Sequence, residues 1–530
     1  MDDARRNDQA DRPELLPDER VPGVHDADGI AGDLSEVRGL AAWVPPAIAD
    51  RSPRVTVVGD AMLDGWWSGT IERFCREAPA PVVDVTRRDY AAGGAANTAM
   101  NLAALGARVR MCGLIGTDDA GRRLRGILHA AGVDTTDLVQ DERVGTTTKY
   151  RILGGDQVML RLDDTHDGLP PSAITSLAAR IPDAVAGADA VVVCDYGSGA
   201  LGDEVREALG HASRLDPGML VVVDAHDTAV WSALAPDIVT PNAQEAAQVL
   251  GTRLDPRSDR AATVTGLSSR LLSATNASAV VVTLDRDGTV LLGEDGEEHR
   301  TWAKPATEKQ ASGAGDTFVA SLTAARAAGL PLTTSLDLAQ AAADVVVHRP
   351  GTSVCTTGDL AAHLQQFADT ALATAELLRR VKEDRAAGKR IVLTNGCFDV
   401  LHRGHTRYLN QAKQLGDVLV VALNDDDGVR RLKGPDRPIN PIADRAAIIA
   451  SLSCVDYVTV FGTDTLVPLI ELLRPDVYAK GGDYTAQMLE ETPAVEACGG
   501  RVSILDYVPE RSTAAVVRRI RSTPLAGDVP

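Results

Sequence analysis

The stretch QASGAGDTFVASLTAA, residues 310–325, joins a glycine-rich turn to an apolar segment of helical character. Gly313, Ala314 and Gly315 have small side chains or none, so their backbone N–H groups can approach an anion closely. The helix that begins near Asp316 adds the positive end of its dipole, and Asp316 is placed to take a proton from an attacking hydroxyl. Such a turn suits phosphoryl transfer. A plain loop-to-helix turn explains the same letters equally well, so the surrounding sequence has to decide.

Short Val- and Ile-rich runs alternate with Ala/Leu-rich helical stretches from Arg54 onward, as in RVTVVGD, ADAVVVCDYG and SAVVVTLDRDG. Continuous apolar runs of this length indicate strands buried on both faces of a parallel sheet, whose ligands collect at the carboxyl ends of the strands. The pattern fades near Gly351 and resumes at RIVLTNGCFD. We predict two α/β domains over 51–360 and 389–530, a helical linker over 361–388 and a disordered acidic extension over 1–50.

The composition limits the classes of partner. The 530 residues carry a formal net charge of −20, which argues against general nucleic-acid binding. Seven scattered cysteines without a CxxC pair suit a reducing compartment and exclude a zinc ribbon. No secretory signal pattern and no apolar run near the roughly 20 residues of a membrane span is present. We therefore expect a cytoplasmic protein without membrane or nucleic-acid partners.

Four further motifs follow predicted strands in the first domain: GDAMLD (59–64), AAGGAANTAMNLAALG (91–106), TPNAQEA (240–246) and VVTLDRDG (281–288). Together with the 310–325 stretch, this succession resembles the ribokinase-like (PfkB-type) sugar kinases. The resemblance implies a three-layer ribokinase-like fold, ATP as the phosphoryl donor and Mg²⁺. It implies Asp316 as the base and the amides of Gly313, Ala314 and Gly315 as the anion hole. The implied sugar-binding residues are Asp64, Gly93, Gly94 and Asn97. The implied ATP-binding residues are Asn242, Glu245, Thr283 and Gly288.

Within that family, GDAMLDGWWSGT, EAPAPVV and TTTKYRIL…MLRLD are most similar to the heptose-phosphate kinases. The resemblance implies that Lys149, Arg151, Arg161 and Asp163 help to hold a phosphorylated sugar, although an ordinary solvated strand edge explains these residues as well. We also expect a homodimer formed through the kinase domain.

Two stretches depart from the family pattern. Gln310, Ala311 and Ser312 stand where the family usually has Asp-x-Thr, which makes activation by a monovalent cation doubtful. DAHDT (224–228) lacks the Pro-Lys often found there.

The second domain opens on TNGCFDVLHRGH, residues 394–405, in which His402 and His405 are three residues apart. Histidines at this spacing can be metal ligands, but zinc needs three or four ligands and the nearby Cys397 and Asp399 are not at a ligand-like spacing. Two buried or capping histidines are a second interpretation. The third is a phosphate site, because a strand ends at Thr394–Asn395, Gly396 allows close backbone approach and a helix starts at the histidines.

The longer stretch TNGCFDVLHRGHTRYLNQAKQLGD resembles the cytidylyltransferase-like nucleotidyltransferases, whose hallmark is the HxGH motif. The resemblance implies a smaller Rossmann-like domain in which His402, His405 and Lys433 act on the phosphates. LKGPDRPINP and KGGDY are most similar to the heptose 1-phosphate adenylyltransferases, which favours ATP over CTP. The implied nucleotide-binding residues are Thr394, Asn395, Gly396, Phe398, Asp399, Gly404, Lys413, Arg445, Lys480, Gly481, Gly482, Asp483, Ser512 and Thr513.

Both halves together resemble the bifunctional heptose kinase/adenylyltransferases. The implied route phosphorylates D-glycero-β-D-manno-heptose 7-phosphate at O1, leaves removal of the 7-phosphate to a separate phosphatase, and then makes ADP-heptose and pyrophosphate. Two alternatives stay open. The substrates could be another sugar phosphate or CTP with an alcohol phosphate, or the first domain could be a catalytically dead binding or dimerisation module, as the departure at Gln310 suggests.

Overall fold

The computed structural model describes residues 34–37, 40–155, 157–165, 168–303, 313–349, 351–365, 371–434, 437–482 and 485–505. Within these ranges, no helix combines the length and apolar character needed to cross a membrane.

The strands, in chain order, are β1 (Arg54–Gly59), β2 (Ala61–Phe74), β3 (Pro81–Gly94), β4 (Arg108–Gly116), β5 (Leu138–Asp141), β6 (Thr148–Gly154), β7 (Gln157–Asp164), β8 (Ala190–Asp195), β9 (Leu220–Ala225), β10 (Ile238–Val239), β11 (Ala279–Thr283), β12 (Thr289–Gly293), β13 (Glu298–Thr301), β14 (Ala371–Leu372), β15 (Ile391–Gly396), β16 (Val418–Asn424), β17 (Tyr457–Phe461), β18 (Val477–Gly481) and β19 (Arg501–Leu505).

The α-helices are α1 (Val44–Arg51), α2 (Ala95–Ala104), α3 (Asp119–Ala130), α4 (Pro171–Val185), α5 (Asp203–Leu215), α6 (Ala243–Leu250), α7 (Arg260–Gly266), α8 (Ser268–Thr275), α9 (Ala314–Ala327), α10 (Leu332–Val347), α11 (Thr357–Gln365), α12 (Thr374–Ala386), α13 (Arg403–Lys413), α14 (Asp426–Lys433), α15 (Ile442–Ala450), α16 (Val467–Leu473) and α17 (Thr492–Ala497). Short 3₁₀ helices cover Leu34–Glu36, Thr228–Leu234, Asp285–Asp287 and Ala486–Met488.

The first domain is built on a sheet with the strand order β13-β12-β11-β10-β9-β8-β1-β4-β5. Its pairs are parallel from β11 through to β5, and β12 and β13 add an antiparallel edge. One hydrophobic core packs α1, α2, α3, α9, α10 and α11 on one face, and a second core packs α4 to α8 on the other. This three-layer arrangement confirms the predicted ribokinase-like fold class, because strands rich in Val need apolar cover on both sides.

A second sheet of four strands, in the order β3-β2-β6-β7, lies beside the first. We call it the lid sheet. Strand β2 begins two residues after β1 ends, so the GDAMLD motif passes directly from the main sheet into the lid sheet. Strand β7 forms one edge, and all eight of its residues are exposed.

The predicted disordered extension over 1–50 is too long, because its C-terminal part belongs to the first domain. Residues 1–33 lie outside the described residues, but Leu34, Leu40, Val44 and Ile48 are buried in the first core. Thr334 of α10 also donates its hydroxyl to the carbonyl of residue 37 over 3.0 Å. Only a few irregularly spaced apolar residues anchor this segment, so the sequence shows no sustained periodicity there.

The second domain has the strand order β14-β17-β16-β15-β18-β19, with every pair parallel. This confirms the predicted smaller Rossmann-like domain. The direction of strand succession reverses between β15 and β18, and ligands of open α/β sheets bind in the crevice at such a switch point. TNG ends β15 and KG ends β18, so both motifs lie at the carboxyl edge beside this crevice.

The predicted helical linker is also corrected. Its second part contains β14, which pairs with β17, and α12, whose Leu377 and Val381 are buried in the core of the second domain. Two residues of strand give too weak a pattern to be detected in a helical stretch.

Two candidate active sites

The first site is centred on Asp316 in the first turn of α9. Asn97 of α2 donates its Nδ2 hydrogen to Asp316 Oδ2 over 2.7 Å, which joins two motifs more than 200 residues apart in sequence. The Tyr196 hydroxyl lies 3.3 Å from Asp316 Oδ1 and 2.6 Å from Asp224 Oδ2. A hydroxyl has one hydrogen, so the shorter contact identifies Asp224 as its main acceptor.

The electrostatics of this site suit a general base. The pKa of Asp316 is raised to about 7, mainly by burial; the hydrogen bonds from Asn97 and Tyr196 oppose the rise, and the charges of Asp224 and Asp64 contribute to it. Burial likewise raises the pKa of Asp224 to about 6. A base titrating near neutral pH is partly deprotonated under physiological conditions and still takes up a proton readily.

The predicted sugar-binding residues converge next to Asp316. Asp64 Oδ1 lies 3.3 Å from Arg151 NH1, and Thr352 donates its hydroxyl to Asp64 Oδ2 over 3.0 Å. A Cβ atom on Gly93 would lie 2.9 Å from the Asp64 carboxyl carbon, so a side chain there would displace the carboxylate. Gly94 precedes the first turn of α2, which carries Asn97.

The four residues assigned to a phosphorylated sugar divide into two pairs. Lys149 and Asp163 line a cavity of about 400 Å³ together with Asp60 and Tyr196. Arg151 is held on Asp64, whereas Arg161 is exposed and bonds its neighbour Asp163 over 2.7 Å. Lys149 is therefore the basic residue that faces this cavity.

The glycine turn has the predicted backbone. Gly313 adopts φ 83°, in the left-handed region, and a Cβ atom there would lie 2.7 Å from Asn97 Nδ2. Ala314, which is half-buried, and Gly315, which is exposed, begin α9. The N–H groups of a first helical turn have no partner within the helix, so those of Ala314 and Gly315 are available next to Asp316.

The predicted ATP-binding residues lie at the ends of β10 and β11. Asn242 and Glu245 close a capping box at the start of α6, in which Glu245 Oε2 accepts from the Asn242 N–H over 2.8 Å. Glu245 Oε1 lies 2.8 Å from His226 Nδ1. Thr283 forms a β-bridge with Asn242, and Gly288 follows in a turn where a Cβ atom would lie 2.0 Å from a backbone oxygen.

Sequence reasoning missed three groups at this site: Asp60, Tyr196 and Asp224. Asp60 is buried and accepts from the Tyr196 N–H over 2.8 Å. Asp60 and Tyr196 directly follow β1 and β8, and Asp224 is the penultimate residue of β9, so a search for polar residues at the end of every predicted strand would have found them.

The second site is centred on two stacked imidazoles at the start of α13. The His402 and His405 rings lie 3.9 Å apart at 25°, and Phe398 packs edge-on against His405 at 5.3 Å. The Gly404 N–H donates to His402 Nδ1, and a Cβ atom on Gly404 would lie 2.9 Å from that ring. The glycine between the histidines therefore lets the helix start fold against the imidazole.

The charge at this site does not come from His405. Burial lowers the pKa of His405 to about 3, and His402 and Lys433 add to the shift, so the ring is neutral at physiological pH. His405 Nδ1 is buried without a hydrogen-bond partner in the described part of the chain. Lys433, at the exposed end of α14, lies near enough for its positive charge to act on His405.

A second group of predicted residues lines the β15–β18 side of the crevice. Lys480 donates to Asn395 Oδ1 over 2.8 Å, and burial lowers the pKa of its ammonium. Thr394 is buried and bonds the Tyr408 hydroxyl. Gly396 contacts the Phe398 ring, Gly481 packs against Tyr408, and Gly482 follows it at the end of β18.

Three predicted nucleotide-binding residues are held by bonds within the chain, and their nucleotide-binding role stays a prediction. Lys413 is about eight residues, or roughly 12 Å, along α13 from His405, and its ammonium bonds Asp456 over 2.6 Å. Arg445 is fully buried and donates to Asp426 and to three backbone carbonyls. Asp399 accepts from the N–H groups of residues 439 and 440. These residues hold the walls of the site.

Some predicted positions lie outside the described residues, namely Asp483, Ser512 and Thr513 and the departure at Gln310, Ala311 and Ser312. In the part of the chain that the structure does describe, no group of three or more His, Cys, Asp or Glu residues is arranged to hold a metal ion.

Comparison with known proteins divides the chain in the same way. Residues 52–358 match the pfkB family carbohydrate kinases, and residues 393–520 match the cytidylyltransferase-like family. The "Bifunctional protein HldE" of Methylobacillus flagellatus is 39% identical over 479 residues, covering 88% of this chain and 96% of that protein. The protein of the same name from Hahella chejuensis is 38% identical, covering 89% and 97%. That from Geotalea uraniireducens is 37% identical, covering 89% and 96%.

Proposed function

Because this chain belongs to the family of bifunctional HldE proteins, we propose that its two sites carry out two steps of ADP-heptose synthesis. The chain is a sugar-phosphate kinase joined to an adenylyltransferase, as its relatives and the two family matches show. The first site phosphorylates heptose 7-phosphate at O1, and the second transfers an adenylyl group from ATP to heptose 1-phosphate. The order is chemically consistent, since the first step creates the anomeric phosphate that the second step uses as nucleophile.

The observation that carries the kinase assignment is the hydrogen-bonded group of Asn97, Asp316, Tyr196 and Asp224. Asp316 takes the proton from the O1 hydroxyl, the freed oxygen attacks the γ-phosphorus of ATP, and ADP leaves as the bond to the bridging oxygen breaks. The N–H groups at the start of α9 stabilise the charge on the transferring phosphoryl group. Asp64 orients the sugar hydroxyls from its fixed position on Arg151.

The transferase site works by binding and orientation. The phosphate oxygen of heptose 1-phosphate attacks the α-phosphorus of ATP, and pyrophosphate leaves. His402 and His405 donate hydrogen bonds to phosphate oxygens from their buried stack, His405 as a neutral ring, while Lys433 offsets the negative charge that develops. Asn395 and Lys480 face the nucleotide from β15 and β18.

Magnesium fits the kinase site as an ion held mainly by the triphosphate and water. Asp224 and Glu245 supply the oxygen donors that Mg²⁺ prefers. Glu245 already bonds Asn242 and His226, and Asp224 bonds Tyr196, so these carboxylates would contact the ion's bound waters. Bound Mg²⁺ neutralises phosphate charge.

The exposed face of β7 supports a homodimer formed through the lid sheet. Leu160 and Leu162 are two residues apart on the same side of the β-bulge in this strand, so they share one face, and they are 53% and 45% exposed. An apolar edge strand of this kind is normally covered, because it otherwise promotes aggregation. Leu160→Glu should halve the mass measured by light scattering, whereas Val230→Glu, at an exposed apolar site outside the lid sheet, should leave it unchanged. A monomeric wild-type protein would refute the dimer.

The test of the whole assignment is a mass-spectrometric assay of the full-length chain with heptose 7-phosphate, ATP and Mg²⁺. We expect heptose 1,7-bisphosphate alone, and ADP-heptose once a 7-phosphatase is added. Asp316→Asn should abolish the first product, and His405→Ala only the second. If wild type consumes no more ATP with the sugar than Asp316→Asn does, the first domain is a binding module instead of a kinase. These substrates and the free cysteines favour the cytoplasm as the place of reaction.

A further inference from the structure

Four polar side chains form a network at the carboxyl ends of β15 and β18, and one of them, Glu491, lies outside the sequence motifs of the transferase site. Lys480 donates ammonium hydrogens to Asn395 Oδ1 over 2.8 Å and to the Tyr478 hydroxyl over 3.1 Å. The Tyr478 hydroxyl lies 2.8 Å from Asn395 Oδ1 and 3.3 Å from Glu491 Oε1. Glu491 immediately precedes α17, so the network joins three elements of the second domain.

Glu491 is a buried carboxylate beside this lysine. Its Oε1 lies 3.9 Å from Lys480 Nζ, and within the described part of the chain its carboxylate contacts only Lys480 and Tyr478. The side chain of Lys480 is 22% exposed and that of Glu491 is 10% exposed, so the lysine is the more accessible member of the pair. A buried carboxylate that loses its cation is strongly destabilised, and the two charges therefore depend on each other.

The network leaves hydrogen-bond donors available beside the nucleotide crevice. Lys480 and Tyr478 both donate to one atom of the Asn395 amide, which must therefore be its oxygen. An ammonium has three hydrogens, and only two of those on Lys480 are bonded to described residues. The Asn395 amide nitrogen likewise has no bond to a described residue. Such donors suit the anionic oxygens of a nucleotide.

The charge of Lys480 depends on its neighbours. Burial lowers the pKa of its ammonium, whereas the charges of Glu491, Cys397 and Glu490 raise it. Burial raises the pKa of the Cys397 thiol and that of the Tyr478 phenol, so both groups are uncharged near neutral pH. Glu490 is exposed, so solvent and salt screen its charge. Glu491 is therefore the main group that opposes the effect of burial on Lys480.

We propose that Glu491 is a positioning residue of the transferase site, which keeps Lys480 an ammonium ion and holds it beside Asn395, where the anionic nucleotide binds. This inference rests on the transferase function proposed above for the same site. A desolvated lysine without an anionic partner loses its proton readily, and a neutral amine does not offset phosphate charge. Glu491 acts on the reaction through Lys480.

The charge of Lys480 can be measured without turnover. The chain has eight lysines, so ¹³C labelling at Cε gives a small set of NMR signals, and the signal missing from Lys480→Arg belongs to Lys480. A pH titration of this signal in the full-length, ligand-free chain gives the pKa. Glu491→Gln should lower it by about one unit or more, because an opposite charge within about 4–6 Å shifts a pKa by about 1–3 units.

The same change should appear in the pH profile of adenylyl transfer. Lys480 acts when protonated, so the alkaline midpoint of kcat/KM should move to lower pH in Glu491→Gln, by about one unit or more. Glu491→Asp keeps the charge and should retain most of the wild-type midpoint. Glu496→Gln removes an exposed carboxylate from the same helix and should change neither quantity. Unchanged kinase kcat/KM shows that each variant is folded.

Three results would overturn the inference. The first is a Lys480 pKa that changes no more in Glu491→Gln than in Glu496→Gln. The second is a lowered pKa with an unmoved alkaline midpoint, because the charge would then play no part in transfer. The third is an equal loss in Glu491→Asp and Glu491→Gln, which would indicate packing instead of charge. A wild-type chain that transfers no adenylyl group refutes the proposed function instead, and the Lys480 titration still decides whether Glu491 maintains its charge.

Discussion

Replacing Asn97 with alanine should move the pH dependence of the kinase reaction to higher pH. Asn97 donates to Asp316 Oδ2 over 2.7 Å, and this bond favours the charged carboxylate and lowers its pKa against the effect of burial. Asp316 acts as a base only when deprotonated. Without the bond its pKa rises, so activity requires a more alkaline solution.

The size of the shift follows from the strength of one bond. A hydrogen bond to a charged group contributes about 1.5–3 kcal/mol, and one pKa unit corresponds to about 1.36 kcal/mol, so the shift is about 1–2 units. The pKa of Asp316 starts at about 7, and half-maximal activity should move to about pH 8–9. At pH 7 the deprotonated fraction falls from about one half to about 1–9%, which lowers kcat/KM about 5- to 50-fold.

The assay is the kcat/KM of sugar-dependent ATP consumption between about pH 6 and pH 9.5. Asn97 also lies in the sugar site, so the plateau at high pH is expected to fall too, and the midpoint is the quantity that tests Asp316. Pyrophosphate release by the transferase site of the same protein serves as the control. An unchanged midpoint in Asn97→Ala would refute the reasoning, because the profile would then report some other group.

Three further outcomes are expected. His405→Ala should lower adenylyl transfer at least about 100-fold and leave kinase kcat/KM unchanged, measured on one preparation; equal losses would contradict two separate sites. Gly313→Ala should lower kinase activity, since its Cβ atom would displace Asn97; Gly126→Ala, where a Cβ atom meets open space, should be harmless. Arg445→Met should reduce the free energy of unfolding by about 3–5 kcal/mol in denaturant titrations, because it removes the four hydrogen bonds of a buried guanidinium, three to backbone carbonyls and one to Asp426.

The sequence predicted well those features that depend on short-range patterns. Apolar strand runs predicted the main sheet of each domain but not the lid sheet. The HxGH spacing predicted two imidazoles at a helix start, because i and i+3 positions share one face of a helix. Asn97 and Asp316 were both named, although their direct bond depends on packing of α2 against α9 and has no local signature.

The contacts that the sequence did not predict share a physical cause. Lys413 and Arg445 are near the motifs in sequence, but the helices that carry them direct their cations onto carboxylates and backbone carbonyls of other elements. A single sequence cannot distinguish a lysine that meets phosphate from one that meets an aspartate on the next element. Tyr196 and Asp224 were missed for the complementary reason. Each is an ordinary residue near the end of a strand, and only the folded chain brings the two together beside Asp316.

The pairing of β14 with β17 determines where the chain can be cut. The sequence pattern places the start of the second domain at residue 389, yet a fragment starting there would leave the β17 edge open and uncover the surface under Leu377 and Val381. It would also lose the bond from the Tyr457 hydroxyl to Asp384, 2.8 Å long. A soluble transferase fragment should begin before Ala371, and a gene fission that separated the two enzymes would have to keep β14 and α12 with the second one.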